Sequence, residues 1–279
     1  MESHEEYALG STSADGHKKE QEEAGKTRTV FRRQDTSKGI IMTIFHAMRS
    51  RHILSLVALF LLLSSRVEAA EEGKHLFLLS GQSNMKRFQH KQFFIPAIEE
   101  KYGAENVIVI KNAEGGQPIS MWYKAWVSSN NEKPKDNGRL YDALIEQIKD
   151  NTEGTTIKTV TFIWMQGEAD AKGERVDVYA KSFRGLIQQL ETDLGRNDIN
   201  VIIGRISDFG IKRRPSDAWK ALRNLQMSLA DENPRWVWID TDDLNGEKDE
   251  LHYVRPDGYQ KLGERYVEAA INLIEGKRN

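Results

Sequence analysis

The sequence predicts an α/β fold in which a parallel sheet of five strands is covered by helices on both faces. Short runs of β-branched and apolar residues alternate along the chain with longer segments whose apolar residues recur at helical spacing. The short runs are almost continuously hydrophobic, which is typical of strands buried on both faces. Because ligands bind beyond the carboxyl ends of the strands in such sheets, we expect the functional residues there.

Ten elements are predicted after residue 71, with strands and helices in alternation. The strands are expected at 75–79, 107–110, 157–165, 201–206 and 236–240. The helices are expected at 92–102, 140–149, 176–194, 217–230 and 258–274. A chain of 279 residues is long enough for one sizeable domain of this class rather than two.

Composition excludes several classes of protein. Hydrophobic residues make up 39% and charged residues 29%, as in soluble globular proteins. A formal net charge of −2 gives no strong field toward nucleic acid or anionic lipid, so no nucleic-acid partner is expected. The absence of cysteine excludes disulfides, thiolate nucleophiles and thiolate zinc sites.

The first part of the chain predicts a disordered extension followed by a secretory signal. Residues 1–38 are rich in Glu, Lys, Ser, Thr and Gly without an apolar period. A basic stretch at 48–52 then precedes an apolar run at 53–63 and small residues that include Val67 and Ala69. This order is typical of a secretory signal peptide, and the run is shorter than the roughly 20 residues that span a bilayer. A signal anchor or a buried helix is the alternative.

Three regions follow from this pattern. Residues 1–47 are expected to be a disordered extension or to precede the true start at Met48, and residues 48–70 to be the signal peptide. Residues 71–279 are expected to be the folded domain, exported to the periplasm or the extracellular space without a membrane span once the signal is cleaved.

The first strand leads into Gly81-Gln82-Ser83-Asn84-Met85. A glycine lets the chain turn sharply, so that Ser83 lies at the carboxyl edge of the sheet. An exposed serine at such a turn can act as a nucleophile, and its own N–H can stabilise an oxyanion. The alternative is a serine that merely caps the next helix.

The ends of the second and third strands supply candidate oxyanion donors. Gly115-Gly116 allows a close backbone approach to a ligand, and the side-chain amide of Gln166 can donate a hydrogen bond. Glu168 and Asp170 follow Gln166 and allow the alternative of a paired-carboxylate glycosidase. We expect them instead to support the site or to begin a helix, where negative charge is favourable.

Asp249 and His252, after the fifth strand, have the D-x-x-H spacing in which a carboxylate orients a histidine. Elimination favours His252 as the general base, since four of the seven histidines precede residue 53. His75 begins the first strand, at the end opposite the cleft, and His90 lies in a basic stretch without a nearby carboxylate.

The acidic run at 240–246 suggests a calcium loop, but the pattern does not fit. Aligning Asn245-Gly246 with the fifth and sixth loop positions puts Thr241 first and His252 last, where carboxylates belong. We therefore expect no metal site and interpret the run as a solvated loop that carries Asp249 and His252.

Together these segments resemble the SGNH hydrolase superfamily, specifically the sialate O-acetylesterase-like domain of carbohydrate esterase family 6. The similar segments are the nucleophile block Gly81–Met85, the glycine block Gly115-Gly116, the block Trp164–Glu168 and the final Asp249–His252 block. They occur in the family's order and span essentially the whole of the expected domain.

The resemblance implies a flavodoxin-like α/β/α sandwich that removes acetyl groups from carbohydrates. Ser83 would attack the acetyl carbonyl, with His252 as base and Asp249 orienting it. The backbone of Ser83 and Gly116, with the Gln166 side chain, would hold the oxyanion. Gln82, Asn84 and Glu168 would support these groups. The resemblance implies no metal or organic cofactor.

The chain departs from the family where the nucleophile block continues into Lys86-Arg87-Phe88. Family members often carry small residues there, so Lys86, Arg87 and Lys91 are expected to favour an acidic or sulfated glycan. The alternative is a solvated basic helix start. Trp122, with Tyr123 and Trp126, is a candidate sugar-stacking wall, and the alternative is that these aromatics are core residues.

Two other functions stay open from sequence. One keeps Ser83, His252 and Asp249 as a catalytic triad but acts on esters of another acyl group, which makes the protein a lipase-like or aryl esterase. The other is a non-catalytic glycan-binding domain on a hydrolase fold.

Overall fold

Five parallel strands form one sheet in the order β2-β1-β3-β4-β5. A computed structural model of the chain describes residues 72–211, 216–248, 250–253 and 257–277. The strands are β1 (Lys74–Gly81), β2 (Val107–Ala113), β3 (Ile157–Met165), β4 (Asn200–Gly204) and β5 (Trp236–Ile239). Since β1 is flanked by β2 on one side and β3 on the other, the strand order reverses between β1 and β3, and ligands bind at such a point.

Helices lie on both faces of this sheet. In the described residues they are α1 (Ser83–Arg87), α2 (His90–Phe93), α3 (Ile95–Tyr102), α4 (Arg139–Thr152), α5 (Glu168–Lys172), α6 (Val176–Leu194), α7 (Asp217–Ala230) and α8 (Gly258–Ile274). Short 3-10 turns occur at Ala104–Asn106 and Ile119–Met121.

Alternation along β1 produces two separate cores. Leu76 and Leu78 point to one face and join a cluster that includes residues of α4, α6 and α7. Phe77 and Leu79 point to the other face and join residues of α3 and α8. Successive side chains of a strand point to opposite faces, so one apolar strand can serve both cores. The predicted three-layer α/β/α sandwich is confirmed.

Most predicted elements agree with the structure. Strand β3 and helices α6, α7 and α8 begin and end at the predicted residues. The helix predicted at 92–102 is two helices, α2 and α3, and Pro96 lies in the first turn of α3. Proline lacks the N–H that a continuous helix requires, but it is well tolerated in a first turn. Helices α1 and α5 were not among the ten predicted elements, because five residues are too few to show a helical period. Glu168 and Asp170 were nevertheless expected to support the site or to begin a helix, and both lie in the first turn of α5.

Some expectations fall outside the described residues. They are the extension at 1–47, the signal peptide at 48–70 and the carboxylate of Asp249. Within the described ranges, no helix is both long enough and apolar enough to cross a membrane.

Candidate active site

Ser83 lies at the tight turn where β1 passes into α1. Gly81 has a φ of +140°, and a side chain there would collide with the carbonyl oxygen of Met165 at the end of β3. The N–H of Gln82 donates to that same oxygen at 2.8 Å, which holds the turn against β3. Ser83 is the first helical residue and is partly exposed, and no side chain caps α1. The structure therefore does not use Ser83 as a helix cap.

The glycine pair after β2 lies beside Ser83. A Cβ added to Gly115 would be 3.8 Å from the Cβ of Ser83, so the backbone at 115 approaches the serine closely. Gly116 has a φ of +75°, which favours glycine, and a Cβ added there would meet no atom within 4 Å. The turn is thus close to the serine at Gly115 and open at Gly116.

Gln82 and Gln166 connect the ends of three strands through a buried network. Gln82 Oε1 accepts hydrogen bonds from the N–H of Ala169 at 3.1 Å and from Gln166 Nε2 at 3.4 Å. Gln166 Nε2 also donates to the carbonyl of Gln117 at 3.0 Å and to Asp170 Oδ2 at 2.5 Å. Gln166 is completely buried, and these protein acceptors occupy its amide nitrogen.

Asn84 connects the nucleophile turn with the segment before His252. Its Nδ2 donates to Glu168 Oε1 at 3.0 Å and to the carbonyl oxygen of Leu251 at 3.1 Å. Its Oδ1 accepts from the hydroxyl of Tyr259 at 3.1 Å. Asn84 is 1% exposed, so these hydrogen bonds are shielded from water. The sequence neighbours of Ser83 and His252 are therefore in direct contact.

Glu168 and Asp170 are buried carboxylates in the first turn of α5. Burial raises the pKa of Glu168, and the hydrogen bond from Asn84 partly opposes that rise. Burial also raises the pKa of Asp170, against hydrogen bonds from Gln166 and from the N–H of Ile119. Since Glu168 is 2% and Asp170 0% exposed, the pair cannot flank a sugar, which excludes the glycosidase alternative.

His252 follows Leu251 and is partly exposed, while its Nε2 atom is buried without a hydrogen-bond partner in the structure as described. Burial lowers the pKa of His252, and the positive charges of Arg87 and Lys172 lower it further against the opposing charge of Glu250. A lowered pKa keeps the imidazole neutral at neutral pH, as a general base requires.

The other two histidines of the described residues are placed differently. The ring of His75 lies 2.8 Å from the Thr159 hydroxyl and packs against Tyr102, at the amino end of β1. His90 begins α2, and burial lowers its pKa, as do Lys111 and Lys91.

The acidic run after β5 binds arginines. Asp242 makes two hydrogen bonds of 2.7 Å with Arg223, and Arg205 pairs with both Asp240 and Asp242. Arg265 pairs with Asp243 at 2.7 Å. The sequence pattern predicted a solvated loop and gave no signal for these arginines. Arg205 directly follows β4, whereas Arg223 and Arg265 lie on α7 and α8. Among the described residues, no group of three or more His, Asp or Glu side chains could hold a metal ion.

The predicted substrate contacts divide into two groups. Lys86 and Arg87 are exposed on α1, as expected for residues at the mouth of a site. Trp122 is completely buried, with its ring 5.0 Å from that of Trp164, and Trp126 is 3% exposed. The core alternative is therefore correct for both tryptophans, because neither has a face free to stack on a sugar.

Comparison with known proteins places the chain among esterases. The profile of a family described as carbohydrate esterase, sialic acid-specific acetylesterase, matches residues 86–272. The matched residues begin just after Ser83. A comparison with curated protein sequences found no significant match.

Solved structures share the fold at low sequence identity. A protein from Arabidopsis thaliana is 17% identical with a TM-score of 0.54, over 72% of this chain and 98% of that one. A carbohydrate acetylesterase from Xanthomonas citri is 17% identical with a TM-score of 0.55, over 72% of this chain and 57% of that one. The structure of NanS is 12% identical with a TM-score of 0.55, over 74% and 99% of the two chains.

Proposed function

This chain belongs to the carbohydrate esterase family of sialic acid-specific acetylesterases, and we propose that it removes O-acetyl groups from carbohydrates with Ser83 as the nucleophile. Family membership makes it a hydrolase of ester bonds. The observation that carries the assignment of Ser83 is the hydrogen bond from Asn84 to Leu251, since it ties the residue after Ser83 to the residue before His252.

In the proposed reaction, Ser83 Oγ attacks the acetyl carbonyl carbon while His252 takes the hydroxyl proton. The tetrahedral intermediate collapses to an acetyl-serine, and His252 gives its proton to the departing sugar oxygen. Water, activated by the same histidine, then attacks the acetyl-serine and releases acetate. The unpartnered Nε2 of His252 supports this role, because no described protein group competes for it.

The proposed oxyanion donors are the backbone N–H groups of Ser83 and Gly116. Ser83 is the first residue of α1 and Gly116 lies in the open part of the adjacent turn, so both N–H groups suit this role. An amide nitrogen carries two hydrogens, and those of Gln166 already have protein acceptors. We therefore assign Gln166 to positioning Gln117, the residue after Gly116, rather than to contact with the oxyanion.

Asp249 is proposed to orient His252, three residues later, by accepting a hydrogen bond from its other ring nitrogen. The spacing of the two residues supports this assignment. Replacement of Asp249 by Asn should lower kcat, while a fluorophosphonate should still phosphonylate Ser83 with loss of fluoride. An unchanged kcat would remove Asp249 from the proposal.

The proposed substrate is an acidic acetylated glycan. Exposed Arg87 and Lys172 both act on His252 electrostatically, so positive charge surrounds the reacting group from α1 and from α5. The description of the matched family names sialic acid, which carries a carboxylate. Equal kcat/KM for acetylated sialic acid and for an acetylated neutral sugar would contradict this preference.

The test of the function compares Ser83→Ala with Ser228→Ala, a control serine exposed on α7. The unmodified chain should release acetate from acetylated glycans and hydrolyse p-nitrophenyl acetate, and only Ser83→Ala should abolish both activities. Activity that survives in Ser83→Ala would contradict the proposal.

The same assay distinguishes acetylesterase activity from the two alternative functions that the sequence leaves open. A lipase-like or aryl esterase would hydrolyse butyryl and octanoyl esters as well as the acetyl ester. A non-catalytic glycan-binding domain would bind glycans without turnover in the unmodified chain.

We also propose that the protein is exported, on the basic, apolar and small-residue order of residues 48–70. Expression in the source cell type should give an extracytoplasmic product whose N-terminus lies at or next to Ala70. A product retained in the cytoplasm with residues 48–70 intact would contradict export.

A further inference from the structure

A concave site lies next to the segment that follows the nucleophile turn. It is a cavity of about 300 Å³ between the segment that follows α1 and the first turn of α8. Gln89 and Gln92 line one side, and Asp257 and Gln260 line the other. Tyr253 and Tyr259, both buried, contribute to its inner wall. Its volume is at the lower end of the range for small-ligand sites.

Two contacts connect the cavity with the reacting residues. Tyr253 directly follows His252 in the chain. The hydroxyl of Tyr259 donates to Asn84 Oδ1 at 3.1 Å, and Asn84 directly follows Ser83. The inner wall of the cavity therefore contains the residue that follows His252 and a tyrosine that is hydrogen-bonded to the residue that follows Ser83.

The polar side chains of the cavity are available to a ligand. In the described part of the chain, the side-chain amides of Gln89 and Gln92 make no hydrogen bond, and both residues are exposed. Each amide offers a donor and an acceptor, which match neighbouring hydroxyl groups of a sugar ring. Gln260 Nε2 donates to Glu264 at 3.0 Å, and Asp257 pairs with Lys261 at 3.3 Å. The Asp257 carboxylate can still accept from a hydroxyl.

The charge of the cavity differs from that of the reacting centre. Its described lining contains the carboxylate of Asp257 and no lysine or arginine. Since Asp257 is paired with Lys261, the described lining offers no unpaired charge to attract an anionic group, and its amides suit an uncharged ring with several hydroxyls. This contrasts with His252, around which Arg87 and Lys172 are positive.

We propose that this cavity is a subsite for an uncharged pyranose unit of the glycan whose acetyl group reacts at Ser83. The inference rests on the proposed function for its place in catalysis, but binding to the cavity can be measured independently of catalysis. The amides of Gln89 and Gln92 would hold neighbouring hydroxyls, and the ring of Phe93, which also lines the cavity and is partly exposed, would cover the apolar face of the sugar ring.

The binding experiment uses the full chain with Ser83→Ala, titrated with xylotetraose and with lactose and followed by NMR. Adding Gln89→Ala and Gln92→Ala together should weaken binding about tenfold, because two hydrogen bonds to the sugar are lost. Adding Gln188→Ala, a glutamine exposed on α6, should leave binding as it was. Thermal unfolding of each variant checks that the fold is retained.

Binding of neither neutral sugar, or equal binding with and without the two glutamines, would overturn the proposal. N-acetylneuraminic acid serves as the charged probe. If Gln89 and Gln92 contribute to the binding of N-acetylneuraminic acid and not to the binding of the neutral sugars, the assignment of an uncharged ligand to the cavity is wrong.

An activity experiment tests the link to catalysis. With Ser83 intact, the ratio of kcat/KM for O-acetylated sialyllactose to kcat/KM for p-nitrophenyl acetate should fall about tenfold in the Gln89→Ala, Gln92→Ala variant, since the small ester has no neutral sugar to place. An unchanged ratio would overturn the subsite. If the unmodified chain hydrolyses neither ester, the proposed function fails, while the NMR titration still decides the cavity.

Discussion

Asn84 Nδ2 lies 3.1 Å from the carbonyl oxygen of Leu251, so the side chain after the proposed nucleophile holds the backbone before the proposed base. The same amide nitrogen also donates to Glu168 Oε1, and the amide oxygen accepts a hydrogen bond from the hydroxyl of Tyr259. Three of the four potential hydrogen bonds of a buried Asn are thus made to three different parts of the chain. This one side chain therefore links the turn that carries Ser83 with the segment that carries His252.

Replacement of Asn84 by Ala should therefore impair catalysis and stability together. It leaves Glu168 and Leu251 without a buried hydrogen-bond donor, which should lower the free energy of unfolding by about 2 to 4 kcal/mol. Loss of the bond to Leu251 should also displace His252, and a displacement of this kind can lower kcat about 10²-fold. Urea unfolding and p-nitrophenyl acetate kinetics measure the two effects.

Tyr259→Phe is the matched control, because it removes only the hydroxyl that Asn84 Oδ1 accepts and leaves both Nδ2 bonds in place. We expect a stability loss of about 1 kcal/mol and a much smaller loss of kcat. If Asn84→Ala were less stable but retained full kcat and an unchanged pH profile, Asn84 would have only a structural role.

The sequence pattern was sufficient to predict the strands of the sheet, but it could not predict the hydrogen bonds of Asn84. A strand such as Ile157–Met165 is determined by local hydrophobicity, which can be read along the chain. The partners of Asn84 are 84, 167 and 175 residues away, and no local pattern identifies them. The place of Ser83 at a strand end could be predicted, because the carboxyl edge of a parallel sheet follows from the order of elements.

Burial of individual side chains was the second feature that the sequence could not decide. Trp122 and Lys86 both follow strand ends, and both were candidates for contact with substrate. The structure buries Trp122 against Trp164 and leaves Lys86 exposed. The choice depends on the neighbouring helices, which a pattern of residue types does not place.

Arg223 should stabilise the loop that leads to His252. It is 8% exposed and makes a two-bond contact with Asp242, as well as a 2.5 Å hydrogen bond to the carbonyl of Ile206. Arg223→Met should lower the free energy of unfolding by about 2 to 3 kcal/mol, because charged hydrogen bonds to buried groups are lost. Urea unfolding measures this loss.

Arg265→Met is the control for that variant, since it removes an equivalent pair with Asp243 at a more exposed position. Such exposed pairs contribute about 0 to 1 kcal/mol. Equal losses in the two variants would show that burial of Arg223 does not strengthen its contact.

Glu168→Gln should change the dependence of stability on pH. Burial raises the pKa of Glu168 above its ordinary value of 4.5, so the folded chain holds that proton more tightly than the unfolded chain. The unmodified protein therefore loses stability as pH rises from 4.5 toward the folded pKa. Glutamine does not ionise, and its Oε1 can still accept from Asn84.

The stability of Glu168→Gln relative to the unmodified protein should accordingly increase with pH through this window. Urea unfolding at several pH values from below 4.5 to neutral measures the difference. Asp170, whose pKa is raised by burial in both proteins, largely cancels in the comparison. A difference that stays constant with pH would contradict a raised pKa for Glu168.

The pH profile of kcat/KM should identify His252 and the charges around it. Burial, Arg87 and Lys172 lower the pKa of His252 below 6.5, so the activity should persist to lower pH than an ordinary histidine base would allow. Arg87→Gln removes a positive charge that disfavours the imidazolium, so the pKa of His252 should rise and the acid limb should move to higher pH. Lys172→Gln should move the acid limb in the same direction, and the two substitutions together should move it furthest.

The substrate for this measurement is p-nitrophenyl acetate, which is uncharged, so the loss of a positive charge should not change how strongly the site attracts it. Lys91→Gln is the control, because Lys91 lowers the pKa of His90 and is not among the charges that act on His252. An acid limb that stays in place in the Arg87 and Lys172 variants would mean that the titrating group is not His252.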